Sequence, residues 1–346
     1  MKTEVLQIKS PVASSEMLER AAAVLKNGGL VVFPTETVYG IGGIATSADA
    51  ARAIYEAKGR PSDNPLIVHI ADPCDAELYA VTSDTYYRLA AHFMPGPLTV
   101  ILPKKNTVPD AVTGGLATVA LRVPAHPVAA ALIRATGVGI AAPSANLSGR
   151  PSPTTAAHVI DDLSGRVDII IDGGECEVGL ESTIVALDGD VATLLRPGAI
   201  TADALACVCR EVKIAPAVTA LLGRDERPLS PGMKYRHYAP RATLTLLDGT
   251  DARVSAYLQK LAADGSVGIL CYDEEIPLLA GEAKLFPVGS RTDLEAQAKR
   301  LFAVLREADE HSACRSLYAH LPPQEGLGLA LYNRLIRAAA HTIKKV

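Results

Sequence analysis

The strongest constraint on the fold is a repeated alternation of short β-branched runs with helical stretches. In the first part of the chain such runs lie at 30–33, 66–70, 98–102, 119–123, 167–171 and 183–187. Helical patterns lie between them, at 47–58, with Ser47 or Asp49 as the N-terminal cap, and at 127–136. This alternation is typical of an α/β domain in which helices cover a sheet.

A second α/β pattern begins near Ala242. TLTLLDG and SVGILCYDEE predict strands, and residues 291–308 and 328–342 predict amphipathic helices. The stretch at 215–241 is dense in Pro, Gly and charge and has no clear period, which indicates a linker. A chain of 346 residues exceeds one ordinary core, so we predict a first domain at 15–203 and a second at 242–346.

Composition excludes several classes of protein. A formal net charge of −4, no Trp and 4% aromatic residues disfavour a protein built mainly to grip nucleic acid. The six cysteines are scattered and the histidines lack metal-site spacing, so we predict no metal site. The sequence shows neither an apolar run long enough to span a membrane nor a secretory signal, and we expect a cytoplasmic location.

Polar side chains follow the first apolar run in VVFPTETVYGIGGIA. Thr35, Glu36, Thr37 and Tyr39 lie where side chains can project into a cleft, but the same letters also describe a strand and a turn that needs its glycines. We leave both interpretations open here. The partial match to G-x-G-x-x-A is not a dinucleotide site, because six residues separate the strand from its first glycine.

Two further segments combine groups suited to an anion. Lys58, Arg60, Ser62 and Asn64 stand at alternate positions, and an extended backbone would point all four side chains to one side. A solvated loop after a helix is the alternative. PSANLSGRPSPTT at 143–155 carries small hydroxyl and amide groups beside a glycine, as phosphate or ribose loops do, although such turns are often only loops.

These segments, with others, form an ordered series of motifs. It consists of PTETVYG, KGRPSDNPLIVHI, MPGPLTVIL, ALRVP, APSANLSGRPSPT, ESTIV and LLRPGAI, followed by SPGMKYRHYAPR at 230–241. The series resembles the YrdC-like L-threonylcarbamoyladenylate synthases, and the last motif resembles the linker of their long, two-domain form. Seven ordered motifs are far more specific than one.

The resemblance implies a fold and an activity. The fold would be an α/β, YrdC-like twisted mixed sheet with a deep cleft, followed by a smaller Rossmann-like α/β domain. The activity would be formation of threonylcarbamoyl-AMP and pyrophosphate from L-threonine, bicarbonate and ATP with Mg²⁺, for the threonylcarbamoyl modification of adenosine in tRNA. A tRNA-modifying transferase would then be a candidate partner.

The resemblance also implies roles for individual residues. Lys58 and Arg60 would act in catalysis on the ATP phosphates. The implied ATP contacts are Lys58, Arg60, Asn64, Thr118, Ser144, Asn146, Ser152, Arg196 and, from a linker that acts as a lid, Tyr235 and His237. The implied threonine contacts are Thr37, His69, Arg122, Ser182 and the backbone near Ala142.

Two rival functions remain at this point. A carbamoyl-transfer enzyme is one, since related domains occur in hydrogenase maturation proteins, but the acylphosphatase and zinc-finger segments of those chains are not visible here. A double-stranded RNA or tRNA-binding module is the other, and the acidic net charge and scarce aromatic residues disfavour it.

Overall fold

The computed structural model describes residues 2–220 and 238–346. Within these ranges the chain forms two compact units, the first of 2–148 with 152–220 and the second of 149–151 with 238–346. Most of the predicted linker at 215–241 lies outside the described residues, and so do Tyr235 and His237. The lid function and the predicted domain boundaries therefore stay predictions.

The first unit contains one mixed sheet of eleven strands. Its strands are β1 Glu4–Gln7, β2 Val31–Phe33, β3 Gly40–Ile44, β4 Ile67–His69, β5 Leu98–Pro103, β6 Thr118–Arg122, β7 Ile140–Ala142, β8 Ile169–Asp172, β9 Thr183–Asp188, β10 Val191–Arg196 and β11 Glu211–Ile214. Their order is β1-β8-β2-β3-β7-β4-β6-β5-β9-β10-β11. Parallel pairs such as β4 with β6 and antiparallel pairs such as β2 with β3 occur in the same sheet, which confirms the predicted mixed sheet.

Helices cover this sheet. They are α1 Ser15–Lys26, α2 Ala48–Lys58, α3 Asp84–Phe93, α4 Asp110–Thr113, α5 Pro127–Thr136, α6 Ala156–Leu163 and α7 Ala202–Ala206. The cap of α2 is Ser47, whose hydroxyl accepts a hydrogen bond from the Ala50 amide at 3.1 Å. Buried Leu18 and Leu25 of α1 and Leu132 of α5 belong to one apolar cluster with the sheet. Burial of this helix pair against Val31 and Phe33 stabilises strand β2, which leads into the polar loop.

The glycine-rich segment differs from its interpretation as a turn. Residues Gly40–Ile44 are strand β3, paired with β2 in antiparallel register. A Cβ on Gly42 would lie 2.5 Å from Ile140 Cγ2 and 2.8 Å from Phe33 Cε1. The low strand propensity of glycine hid this strand from the sequence, since glycine is used here to admit neighbouring side chains.

Replacing Gly42 with Ala should therefore destabilise the fold by about 1–3 kcal/mol, because the added methyl group overpacks the site. Gly40→Ala is the matched control, since its Cβ would meet neighbours at 3.5–3.6 Å, which is ordinary contact. Urea unfolding of both variants measures the difference. Equal free energies of unfolding for the two variants would contradict this account of Gly42.

The second unit is a sheet of five parallel strands with helices. The strands are β12 Thr243–Asp248, β13 Val267–Cys271, β14 Lys284–Pro287, β15 Ser316–His320 and β16 Ile343–Lys345, and the helices are α8 Asp251–Leu261, α9 Leu294–Glu310 and α10 Gly328–Ala338. The strand order is β14-β13-β15-β12-β16. A parallel, crossover-connected sheet of this kind is Rossmann-like, as predicted.

Among the described residues, no helix is both long enough and apolar enough to cross a bilayer.

Candidate functional site

The loop between β2 and β3 carries three buried polar residues, Thr35, Glu36 and Thr37. The Thr35 and Thr37 hydroxyl oxygens are 2.8 Å apart, and the Thr35 hydroxyl donates to the Val38 carbonyl at 2.6 Å. Buried polar groups cost free energy unless they are paired, so this small network holds the loop in one conformation. The interpretation of these residues as site residues stays a prediction.

Arg122 reaches into the same loop from the end of β6. Its Nη1 donates to Thr37 Oγ1 at 2.9 Å, and its Nη2 lies 2.7 Å from Glu36 Oε1. The second contact is an ion pair whose angle does not suit a hydrogen bond, and neither oxygen of Glu36 accepts one from the described residues. The two side chains are 4% and 6% exposed, so a buried carboxylate is left with unused acceptor capacity.

His69 ends β4 and is the register partner of Arg122 on β6. Burial, followed by the nearby positive charge of Arg122, lowers the pKa of His69 to about 3. The imidazole is therefore neutral at physiological pH, and its Nδ1 lies 3.1 Å from the Ile67 carbonyl oxygen. Ala142, which also belongs to the predicted threonine site, is buried at the end of β7, paired with Ile67 of β4.

Ser182 stands just before β9 and joins two other polar side chains. Its hydroxyl oxygen is 2.7 Å from Thr99 Oγ1 on β5 and accepts a hydrogen bond from Arg196 Nη2 at 3.1 Å. Arg196 Nε also donates to the Ser182 carbonyl at 3.0 Å. Ser182, which is predicted to contact threonine, and Arg196, which is predicted to contact ATP, are therefore hydrogen-bonded to each other.

Lys58 is the last residue of α2 and is 2% exposed. Its ammonium group donates to the Ser144 carbonyl at 2.5 Å and also to the Asn146 carbonyl. The Ser144 hydroxyl donates to Asn146 Oδ1 at 2.5 Å. Three residues predicted to bind ATP therefore form one cluster, although the lysine is buried and not on a solvated loop.

The predicted alternation from Lys58 to Asn64 is wrong. Lys58 is helical, a turn follows it, Ser62 is exposed and Asn64 is buried. Gly59, with a φ of +60°, ends the helix in the left-handed conformation and breaks the extended register that the alternation requires. The four side chains therefore do not share one side of a strand.

Arg60 and Asn64 stay close despite this turn. Arg60 Nη2 donates to the carbonyls of Asn64 at 3.3 Å and Pro65 at 3.2 Å. Asn64 Oδ1 is buried and has no hydrogen-bond partner among the described residues. An orphaned buried acceptor is costly, so a donor from water or from a ligand is expected to complete it.

Two predicted residues of the first unit, Ser152 and Thr118, remain to be placed. Ser152 is fully buried and donates to Glu181 Oε1 at 2.5 Å, one residue before Ser182. Thr118 is half-buried at the start of β6, four residues before Arg122, and no hydrogen bond or ion pair joins it to another predicted site residue within the described ranges. Its assignment to ATP stays a prediction.

Sequence reasoning missed Thr99, Glu181 and the pairing role of Glu36. Thr99 is a fully buried polar residue inside the apolar run LTVIL, which was the only signal available for it. As for metals, no group of three or more His, Cys, Asp or Glu side chains in the described part of the chain could hold an ion.

Two family models match the chain in succession. One, described as "Telomere recombination" and covering the Sua5, YciO and YrdC proteins, matches residues 23–198. The other, described as "Threonylcarbamoyl-AMP synthase, C-terminal domain", matches residues 200–340. Together they cover the two α/β patterns and the segment between them.

Full-length relatives agree with these models. The chain is 45% identical over 93% of its length to the threonylcarbamoyl-AMP synthase of Bacillus subtilis, of which 92% is covered. It is 42% identical over 94% of its length to that of Pyrococcus abyssi, of which 95% is covered. The crystal structure of P. abyssi Sua5 complexed with L-threonine superposes with a TM-score of 0.90 at 40% identity over 100% of both chains. The protein therefore belongs to the threonylcarbamoyl-AMP synthase family, in its two-domain Sua5 form.

Proposed function

We propose that this protein joins L-threonine, bicarbonate and ATP into threonylcarbamoyl-AMP with release of pyrophosphate. The observation that carries the proposal is the buried pair of Arg122 and Glu36 beside the Thr37 hydroxyl. The Arg122 guanidinium can pair with a ligand carboxylate, and the Glu36 carboxylate can pair with a ligand ammonium group. The Thr37 hydroxyl can hydrogen-bond a ligand hydroxyl. Those are the polar groups of threonine, and the related Sua5 of P. abyssi has been solved with this amino acid.

When threonine binds, Arg122 and Glu36 would each exchange their mutual ion pair for an ion pair with the substrate. Its α-carboxylate would pair with the Arg122 guanidinium. Its α-ammonium group would donate to the Glu36 oxygens, which accept no hydrogen bond from the described residues. A zwitterion that brings both charges into the site replaces one buried pair with two better-bonded pairs, so the desolvation cost of burial is offset. The neutral His69 adds no competing positive charge beside Arg122.

The nucleotide would lie along the cluster of Lys58, Ser144 and Asn146. Lys58, Arg60 and Arg196 supply positive charge for phosphoryl oxygens, while Ser144 and Asn146 supply small polar groups on a loop held against Lys58. The buried Asn64 Oδ1 would accept from a nucleotide donor. Mg²⁺ usually keeps several waters and binds substrate phosphates rather than an all-protein cage, so here it would arrive with ATP and neutralise phosphate charge.

The reaction needs orientation more than a protein nucleophile. One proton of the threonine ammonium group converts bicarbonate to CO₂ and water. The amine that results attacks the carbon of CO₂ and releases a second proton to solvent, which yields a carbamate. A carbamate oxygen then attacks the α-phosphorus, and the bond to the bridging oxygen breaks so that pyrophosphate leaves. Positioned cations stabilise the charge that develops on the phosphoryl oxygens.

Amino-acid selectivity tests this assignment. We expect valine to be used about 10⁴-fold less efficiently than threonine, because a site that bonds a hydroxyl leaves its polar groups unpaired when the hydroxyl is missing. Serine keeps the hydroxyl and lacks one methyl group, so it should lose only about 10- to 200-fold. Thr37 and Ser182 are the groups predicted to bond the hydroxyl.

The measurement is incubation with ATP, labelled bicarbonate and each amino acid, followed by assays for pyrophosphate and for a labelled adenylate. The proposed function requires that both products depend on threonine. Equal efficiency with valine would contradict the hydroxyl assignment alone, whereas no labelled adenylate with threonine would contradict the function.

The product is an activated adenylate, and we propose that it serves the threonylcarbamoyl modification of adenosine in tRNA, with a tRNA-modifying transferase as its consumer. The rival in which the chain mainly binds RNA would be favoured by a salt-dependent RNA affinity that does not need Lys58 or Arg60.

A further inference from the structure

The two hydroxyl groups predicted to bond the threonine hydroxyl are each paired with a further threonine side chain of the protein. Thr37 Oγ1 lies 2.8 Å from Thr35 Oγ1, and Ser182 Oγ lies 2.7 Å from Thr99 Oγ1. None of the four side chains is more than 2% exposed. A hydroxyl group has one proton and two lone pairs, so a buried partner decides which of these is left for a ligand.

In the first of these pairs, Thr37 is left as an acceptor. The single proton of the Thr35 hydroxyl is donated to the Val38 carbonyl oxygen at 2.6 Å, so the bond between Thr35 and Thr37 uses the proton of Thr37. One lone pair of Thr37 Oγ1 accepts from Arg122 Nη1 at 2.9 Å. No other residue in the described part of the chain bonds this hydroxyl oxygen, so Thr37 can accept one hydrogen bond from a ligand but can donate none.

The second pair stands at the same end of the sheet strands as the first. Strand β5, which carries Thr99, lies between β6 and β9. Its first residues adjoin the end of the antiparallel strand β6 and the start of the parallel strand β9. Arg122, which donates to Thr37, ends β6, and Ser182 directly precedes β9. Two contacts to one small group of a substrate require this placement of Thr37 and Ser182.

The bond between Ser182 and Thr99 can run in two directions. Ser182 Oγ already accepts from Arg196 Nη2 at 3.1 Å, and within 2–220 and 238–346 neither hydroxyl group forms a further hydrogen bond. If Ser182 donates, the proton of Thr99 is left in the core without an acceptor. If Thr99 donates, both lone pairs of Ser182 are filled and its proton is left for a ligand. Because a buried unpaired donor is costly, a bound group that accepts from Ser182 favours the second direction.

We propose that Thr99 is a positioning residue that fixes Ser182 as a donor, so that Ser182 and Thr37 together select a hydroxyl group. The β-hydroxyl of threonine donates to Thr37 and accepts from Ser182. The methyl group of valine does neither and leaves a buried proton and a buried lone pair unpaired. Thr35 fixes the acceptor as Thr99 fixes the donor. This inference rests on the proposed function and names residues that select its amino acid.

The test is calorimetric titration of the full chain with threonine, in the absence of ATP, for variants of Thr99. Thr99→Val keeps the shape of the side chain and removes its hydroxyl group, so we expect threonine to bind about tenfold more weakly. Thr99→Ser keeps the hydroxyl group and should restore binding to within about threefold of the wild type. In the pyrophosphate assay, Thr99→Val should raise KM for threonine about tenfold and leave kcat nearly unchanged, because the hydroxyl is bonded equally before and during the reaction.

A double variant separates positioning from a direct or packing effect of Thr99. Ser182→Ala removes the hydroxyl group through which Thr99 acts, so adding Thr99→Val to it should weaken threonine binding no further. If the two losses of affinity multiply instead, Thr99 acts independently of Ser182 and the proposal fails. Wild-type affinity for threonine in a folded Thr99→Val variant would overturn it as well.

Thr136→Val is the matched control. Thr136 on α5 is also buried, and its hydroxyl donates to the Leu132 carbonyl at 2.8 Å, but it belongs to none of the site clusters. This variant should lose stability in urea and keep its affinity for threonine. An equal loss of affinity in Thr136→Val and Thr99→Val would show that the effect at Thr99 is structural and the proposal wrong. Failure of the proposed function differs, since threonine would then bind with the expected pattern across the variants while no labelled adenylate formed.

Discussion

Replacing Lys58 with Met is expected to lower adenylate formation about 10²- to 10³-fold, as removal of one positioned donor to a developing charge does in other enzymes. The substitution keeps an unbranched, flexible side chain and removes the ammonium group. Because the Ser144 and Asn146 carbonyls then lose a buried donor, we also expect a loss of about 1–3 kcal/mol in unfolding free energy. A lysine on a solvated loop would leave stability unchanged, and the burial of Lys58 rules that expectation out.

Lys26→Met is the matched control for this prediction. Lys26 is also the last residue of its helix, α1, and its ammonium group donates to the Ala135 carbonyl at 2.9 Å, but it is exposed and belongs to none of the site clusters. Pyrophosphate release at saturating ATP, with urea unfolding of both variants, measures the two effects. The phosphate role of Lys58 fails if Lys58→Met keeps wild-type rates, or if Lys26→Met loses as much activity.

The sequence predicted elements well where their signals are local. Helix α5 runs from Pro127 to Thr136, as predicted, because proline at its start and Gly137 after its end mark both boundaries. Strand β3 was missed because its glycines make room for Phe33 on the neighbouring strand β2 and for Ile140, which lies far away in the sequence. Tertiary contact overrides propensity at such positions.

The candidate site shows the same difference between local sequence signals and tertiary contacts. Resemblance pointed to Arg122 and Ser182 one by one, but their partners depend on strand register that no local pattern reveals. Thr99 and Ser182 are 83 residues apart in the chain and are bonded across the parallel pair of β5 and β9. The same limit explains why the capture of Lys58 by two carbonyls was not predicted, since those carbonyls lie 86 and 88 residues further on.

The pair of Arg122 and Glu36 allows a test in which stability and substrate binding separate. Arg122→Met should cost about 3–5 kcal/mol of unfolding free energy, because it leaves the buried Glu36 carboxylate without its counter-charge. It should also weaken threonine binding by about 2–5 kcal/mol, or roughly 30-fold to several thousand-fold, because the α-carboxylate loses its guanidinium.

The double variant Glu36→Gln/Arg122→Met removes both charges and should regain most of the lost stability, since a neutral buried pair of similar volume avoids the cost of burying an unpaired charge. It should not regain threonine binding, because neither the carboxylate nor the ammonium group of the substrate then meets a charge. Urea unfolding and threonine-dependent thermal shifts measure the two quantities on the same samples. If the double variant is no more stable than Arg122→Met, the ion pair is not what holds these side chains in the core. If it binds threonine as the wild type does, the exchange of partners is wrong and the two charges serve the fold alone.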